Sequence, residues 1–293
     1  MHLALLTDAR YVRPAAPGDG YHGNIHTEDR LLSEALAHHG VTTRRVDWAD
    51  AAVDWARFDA AVFRTTWNYA DHYVAFRRWL DAVPVPLVNA AVIIRENVDK
   101  RDLLALEAAG VAIVPTRLVE RGAAADLDAV LGAAGWDEAV MKPAVSGGAR
   151  NTYRVRRGEG GERFAALVAE EAMLVQPFVH DVMAGGEVSV MVFGGRVSHA
   201  VRKIAKTGDF RVQDDHGGTV HAHVTTIDEV AFAERAVAAC ALPPVYARVD
   251  LVRDGAGALA LMELELVEPE LFLRMAPGAA PAFAAAIVGA LRG

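Results

Sequence analysis

The chain has 293 residues, 53% of them hydrophobic and 23% charged, the balance of an ordinary globular protein long enough for two or three packed units. A formal net charge of −8 argues against a general nucleic-acid binder, which needs a basic surface for phosphates, but leaves room for a small anionic substrate in a local cationic pocket. No apolar run reaches the roughly 18 residues that span a bilayer, and the start Met1-His2-Leu3-Ala4-Leu5-Leu6-Thr7-Asp8 lacks the features of a signal peptide, so no membrane partner and a cytoplasmic setting are expected. The one cysteine, Cys240, excludes an intramolecular disulfide and reads as an inert buried thiol at the end of an alanine-rich helix.

In chain order, His2 to Thr7 reads as a buried strand, Glu28 to His39 as a helix stopped by Gly40, Val41 to Trp48 as a strand and Ala60 to Thr66 as another. Alternation of strand and helix predicts a parallel-sheet α/β unit over roughly the first ninety residues. Gly18-Asp19-Gly20-Tyr21-His22-Gly23 matches the spacing of the dinucleotide fingerprint, but Pro14 and Pro17 lie between it and the first strand, and the expected structure is a flexible loop on the substrate side. Arg64-Thr65-Thr66-Trp67 follows a buried strand at the edge where open α/β sheets place ligands, so Arg64, with Thr65, is a candidate clamp for a substrate carboxylate, a surface ion pair being the alternative.

A helix is expected from Asn97, as its cap, through Lys100 to Gly110, then a short strand to Val114, a helix around Leu127 and a strand from Glu138 to Met141. That strand delivers Lys142-Pro143-Ala144-Val145-Ser146-Gly147-Gly148 into a small-residue loop, which is either a phosphate cradle or a plain hairpin with a solvated lysine; it is not a Walker loop. Strands follow at Met173–Phe178, Glu187–Phe193 and Arg196–Ala205, the last carrying Arg202 and Lys203, and turns between them indicate an antiparallel sheet in the C-terminal half. A polar loop from Lys206 to Gly218, a helix from Asp228 to Ala241, a β-hairpin and a helix from Pro281 to Leu291 complete the chain. His199, His221 and His223 lack the partner spacing of a zinc site.

The hairpin from Pro244 to Leu266 carries the strongest chemistry. Side chains alternate faces, so with Arg253 opposite Ala258 the apolar sets Ala247, Val249, Leu251 and Met262, Leu264, Leu266 share one face and Asp250, Glu263 and Glu265 the other. Two like charges about 4 Å apart repel by roughly 4 kcal/mol, more than Arg248 alone can offset for three carboxylates. A divalent cation would do so, and oxygen-only ligands suit magnesium or manganese; the plain alternative is a solvated strand face.

These pieces together resemble the ATP-grasp superfamily of carboxylate-activating ligases, from about Asn97 to the C-terminus. Gly208-Asp209-Phe210-Arg211 with Gly217-Gly218, the run Gln176, Phe178, Val179, Asp181, and Glu263-Leu264-Glu265 are similar to motifs of the branch containing the ribosomal-protein glutamate ligase RimK. Gln213 stands where that branch carries asparagine. Together with Arg64 to Tyr69, Asn97 to Lys100, His199 to Lys203 and Glu263 to Pro269, the chain resembles the group that includes the cycloserine-forming cyclo-ligase.

The resemblance implies an ATP-grasp fold of class α/β (α+β), divided into a substrate-side parallel-sheet domain at 1–92, a central subdomain at 93–176 and an antiparallel C-terminal domain with the metal site at 177–293. It implies that Lys100 and Lys142 hold phosphates beneath the Ser146, Gly147 and Gly148 loop. Backbone groups at Pro177, Phe178 and Val179 would hydrogen-bond adenine, with Asp181 on the ribose and Gln176 and Glu187 also in the ATP site. Asp250, Glu263 and Glu265 would bind two magnesium ions, and Arg202, Lys203 and Arg211 would act on the transferring phosphoryl group. The expected substrate is a small amino-acid-like molecule and the expected reaction ring closure of O-ureido-serine. An intermolecular carboxylate–amine ligase and a non-catalytic nucleotide sensor are the alternatives, and a homo-oligomer stays open.

Overall fold

A computed structural model describes residues 1–212 and 217–293. Strands β1 (His2–Thr7), β2 (Thr42–Asp47), β3 (Ala60–Thr65) and β4 (Leu87–Val88) form a parallel sheet in the order β2-β1-β3-β4. Because β1 is covered on both faces, it is apolar without alternation. Leu3 and Leu5 pack with Leu32 and Leu36 of the Gly20–Ala37 helix and with Phe283 and Ile287 of the Ala280–Arg292 helix, whereas Ala4 and Leu6 pack with Phe63, Phe76 and Leu80. The last helix therefore completes the first sheet.

Strands β5 (Arg117–Val119), β6 (Glu138–Pro143), β7 (Tyr153–Arg156) and β8 (Met173–Pro177) form an antiparallel sheet in the order β5-β8-β6-β7. One face, with Met141 and Val175, packs on Leu131 and Phe164 of two helices; the other turns Val140, Lys142 and Gln176 into a cleft. Strands β9 (Glu187–Phe193), β10 (Arg196–Ile204), β11 (Thr219–His223), β12 (Tyr246–Arg253) and β13 (Leu259–Glu265) form a second antiparallel sheet, ordered β11-β10-β9-β12-β13. Its inner face packs Val188, Val190 and Val249 on Phe232 and Ala236 of the Ile227–Ala238 helix. That helix opens with a reciprocal cap between Thr226 and Glu229. We propose the three-part division given above because each part contributes one sheet; Pro177 of β8 and the start of the Ala91–Asn97 helix cross its boundaries.

Two helices differ from expectation. The first helix begins at Gly20, not Glu28, because the Asp19 carboxylate accepts from the His22 amide at 3.0 Å; the glycine-containing segment expected as a flexible loop is a cap and first turn. The helix expected from Asn97 to Gly110 is two, Ala91–Asn97 and Asp102–Ala108, and Asn97 ends the first instead of capping it. Its amide donates to Leu264 O at 2.7 Å and accepts from Leu266 N at 2.7 Å, taking the place of a strand partner at the outer edge of β13.

The hairpin register also differs. Arg253 pairs with Leu259, Val252 with Ala260 and Leu251 with Leu261, after which the register shifts and Asp250 pairs with Glu263. Met262 is the extra residue of a bulge, a device common beside active sites because it re-aims side chains. Leu261 takes the core position expected of Met262, which faces the cleft.

Candidate active site

The cleft, of about 530 Å³, is walled by the two antiparallel sheets and, at one end, by loops of the parallel-sheet unit. The bulge sets Asp250 opposite Glu263 and Arg248 opposite Glu265. Oxygens of Asp250, Glu263 and Glu265 lie within 4.8 Å of one another, as the alternation of the hairpin leads one to expect. Asn89 steadies the same hairpin, donating to Tyr246 O at 2.9 Å and Leu266 O at 2.8 Å.

More cations meet these acids than the hairpin alone supplies. Arg248 reaches Asp250 at 2.8 Å and Glu265 at 2.5 Å, Lys203 bridges Glu187 at 2.5 Å and Asp250 at 3.3 Å, and Lys100 pairs with Glu263. Burial raises the cost of every one of these carboxylates, but Arg248 and Lys203 hold Asp250 well below the usual range, and Lys100 likewise lowers Glu263. Glu265 is left under-compensated: burial pushes it up to about 7 despite Arg248. An all-oxygen donor set this compact, with one member short of positive charge, fits a hard divalent cation.

Lys142, at the end of β6, is almost fully buried, and burial lowers its pKa; Lys100 arrives from the loop between the two short helices, its amide donating to Ala144 O at 2.8 Å. Between them runs the Ser146–Gly148 loop, in which Gly148 has φ 55°, a left-handed turn that glycine adopts without strain. The Ser146 hydroxyl donates to Arg150 O at 3.0 Å, so it braces the loop from within. Gln176 donates to the Thr116 hydroxyl at 3.0 Å, and Pro177, Phe178 and Val179 line the wall beyond it. The Phe178 amide is already committed to Glu138 O at 3.1 Å, and the Phe178 ring lies 3.7 Å beneath the Arg154 guanidinium.

Of the residues singled out from sequence, Lys100, Lys142, Ser146, Gly147, Gly148, Gln176, Pro177, Phe178, Val179, Glu187, Lys203, Arg211, Asp250, Glu263 and Glu265 share this one cleft. Arg211 enters it beside Phe210 and pairs with Asp209 at 2.7 Å. Four do not line it. Asp181 is exposed at the start of the Asp181–Gly185 helix, where its neighbour Val182 faces the cleft instead. Arg202 bonds Gly185 O and His223, because strand alternation sends it to the face opposite Lys203. Arg64, only 2% exposed, donates to Asp29 at 3.0 Å, and the Thr65 hydroxyl lies 2.5 Å from that of Thr7. Both belong to the interior of the parallel-sheet unit, so the expected substrate clamp is a scaffold ion pair. Gln213 lies outside the described residues.

The end of the cleft nearest the parallel sheet holds residues that sequence reasoning missed: Arg10, Tyr11, Tyr21, Trp67, Tyr69, Glu268 and Glu270. Trp67 and Glu268 lie inside recognisable motifs, but nothing in their spacing shows that two segments so far apart meet. Trp67 Nε1 donates to Glu268 O at 3.0 Å, and Tyr11 and Tyr21 lie 5.6 and 6.2 Å from the Trp67 ring.

Comparison with known proteins supports the reading built from these residues. Residues 3–89 match the N-terminal domain of D-cycloserine synthetase DcsG, and residues 161–269 match the RimK-like ATP-grasp domain. The chain is 33% identical to the cycloserine biosynthesis protein DcsG of Streptomyces lavendulae, over 89% of this chain and 93% of that protein. The crystal structure of D-cycloserine synthetase DcsG superimposes with a TM-score of 0.85 at 32% identity, covering 99% of this chain and 100% of that one. The ATP complex of D-alanine–D-alanine ligase from Bacillus anthracis shares the fold, with a TM-score of 0.70 at 14% identity over 100% of this chain and 97% of that one. With a cleft of matched lysines and carboxylates, an ATP-grasp fold and this identity along nearly its whole length, the chain belongs to the DcsG group of ATP-grasp ligases and is an ATP-dependent ligase that works with magnesium.

Proposed function

We propose that the chain closes O-ureido-serine into the cycloserine ring by activating the substrate's own carboxylate for attack by its own nitrogen. The observation that carries this is that the DcsG match extends through residues 3–89, the segment that supplies Arg10, Tyr11, Tyr21 and Trp67 to the acceptor end of the cleft. The relative's printed name, a cycloserine biosynthesis protein, supports a substrate of this kind.

In this reading Lys100 and Lys142 hold the phosphates of ATP, and the loop from Ser146 to Gly148 covers them with backbone N–H groups. Asp250, Glu263 and Glu265 would hold two magnesium ions, with manganese as the alternative. Bound magnesium supplies positive charge that offsets the phosphate oxygens as the γ-phosphoryl group leaves ADP. Arg211 neutralises charge on that group while the substrate carboxylate forms its new O–P bond. Attack by the substrate's oxygen-bound nitrogen on the acyl carbon then expels phosphate, that nitrogen's proton passing to solvent, and water removes its carbamoyl group as carbon dioxide and ammonia to leave the free cycloserine ring, so neither phosphoryl transfer nor ring closure calls on an enzyme nucleophile. Lys203 acts indirectly, holding Glu187 and Asp250 in place.

ATP turnover measured with amino acids singly and in pairs tests the proposal. O-ureido-serine alone should release ADP and phosphate in step with ring formation. Turnover that appears only when a separate amine is added would replace cyclisation with intermolecular ligation.

A further inference from the structure

The carboxylates of the cleft are not alike. Glu187, Asp250, Glu263 and Glu265 each contact a lysine or arginine, and Glu270 pairs with Arg274. Glu268 is the exception: among the described residues no cationic side chain lies within 4.0 Å of its carboxylate. It is nevertheless drawn out of water, and desolvation, with Glu265 and Glu263 adding like charge against the longer-range pull of Lys100, pushes it up to about 8. Its backbone is fixed, since Glu268 O accepts from Trp67 Nε1 at 3.0 Å and Asn97 holds Leu264 and Leu266 just upstream. An anionic group placed this firmly without a counter-charge is costly unless the counter-charge arrives with a ligand.

The surroundings specify what kind of cation that is. Tyr11, Tyr21, Trp67 and Tyr69 line the same end of the cleft, and aromatic faces attract a compact organic cation. The triple-carboxylate cluster that suits a metal ion lies on β12 and β13 and does not include Glu268. A small amino acid carries one such cation, its α-ammonium, next to the carboxylate that must be activated. We propose that Glu268 is the specificity-determining residue that receives the substrate's α-ammonium, against the ring wall of Tyr11, Tyr21 and Trp67. The assignment rests on the amino-acid ligase reading above.

The test compares O-ureido-serine with its analogue lacking the α-amino group, in the wild type and in Glu268→Gln, following ATP turnover with magnesium present. The wild type should prefer the amino acid. Glu268→Gln should raise KM for O-ureido-serine by about 10- to 100-fold, leave KM for ATP unchanged and lose most of the preference over the analogue. Trp67→Leu should weaken both compounds, the amino acid more, because only it carries the cation. Full preference retained in a folded Glu268→Gln protein would overturn the assignment, as would a fall in kcat with unchanged amino-acid KM, which would mark Glu268 as acting in the chemical step. A wild type that turns over ATP with no amino acid would instead bring down the ligase reading itself.

Discussion

The two ends of the cleft are built on opposite electrostatic plans. At the end proposed for the nucleotide, carboxylates and cations are interleaved: Lys100 with Glu263, Arg248 with Asp250 and Glu265, and Lys203 with Glu187 and Asp250. At the end proposed for the acceptor, Arg10 pairs with Asp8 and Glu270 with Arg274, but Glu268, whose backbone oxygen meets Trp67, has no cation within 4.0 Å among the described residues. A highly charged cosubstrate with its metal calls for a preorganised lattice of both signs, whereas a small zwitterion is recognised by a few uncompensated groups in an apolar frame.

The sharpest way to break this comparison is at the nucleotide end. Glu263→Gln removes a charged oxygen from the proposed metal cluster and frees Lys100, and should reduce ATP turnover by about 1000-fold even at high magnesium; turnover near the wild-type value would show that the cluster holds no catalytic cation. Arg211→Ala should lower kcat by about 100-fold with a smaller change in KM for ATP, as expected of a group that acts on developing charge. Equal loss in both constants would reduce it to a nucleotide contact.

Outside the cleft the expected effects are on stability. Arg64→Ala removes one of the two guanidinium partners of buried Asp29, leaving Arg45, and should destabilise the fold by about 1.5–3 kcal/mol in denaturant unfolding. A raised amino-acid KM with unaltered stability would instead extend the acceptor end down to Arg64.

Asp102 should give a pH dependence in place of a fixed loss. Burial raises its pKa from 3.8 to about 7, against the Asn97 amide that donates to it at 2.6 Å. Between those two values the folded chain keeps a proton that the unfolded chain has lost, so stability falls as pH rises through this window, by at most about 1.4 kcal/mol per pH unit. Asp102→Asn should flatten that slope in unfolding measured from about pH 4 to about pH 7. An unchanged slope would mean that Asp102 stays charged in the fold.

Much of the grouping of charged residues in the cleft was legible in sequence because it is built from local patterns. Alternation along β12 and β13 places Asp250, Glu263 and Glu265 on one face even though the actual register contains a bulge, since the extra residue Met262 restores the parity that a wrong starting pair had assumed. The same alternation along β10 puts the adjacent residues Arg202 and Lys203 on opposite faces, so only one of the two can enter the cleft. Lys142 and the loop after it follow from a strand end and small residues.

What local pattern could not decide is which distant segments meet. The parallel unit was readable as strand, helix and strand, but the closing of its sheet by the Ala280–Arg292 helix was not. Arg64 and Trp67 are three positions apart in one motif, yet the first is sealed among carboxylates and the second stands over Glu268, because the strand ends between them and the chain turns outward. Sequence by itself thus determined the chemistry of the charged hairpin and the class of the fold, through periodicities that act over a few residues. Only tertiary structure decided the acceptor wall, because burial and the pairing of charges depend on neighbours that the chain brings from both of its ends.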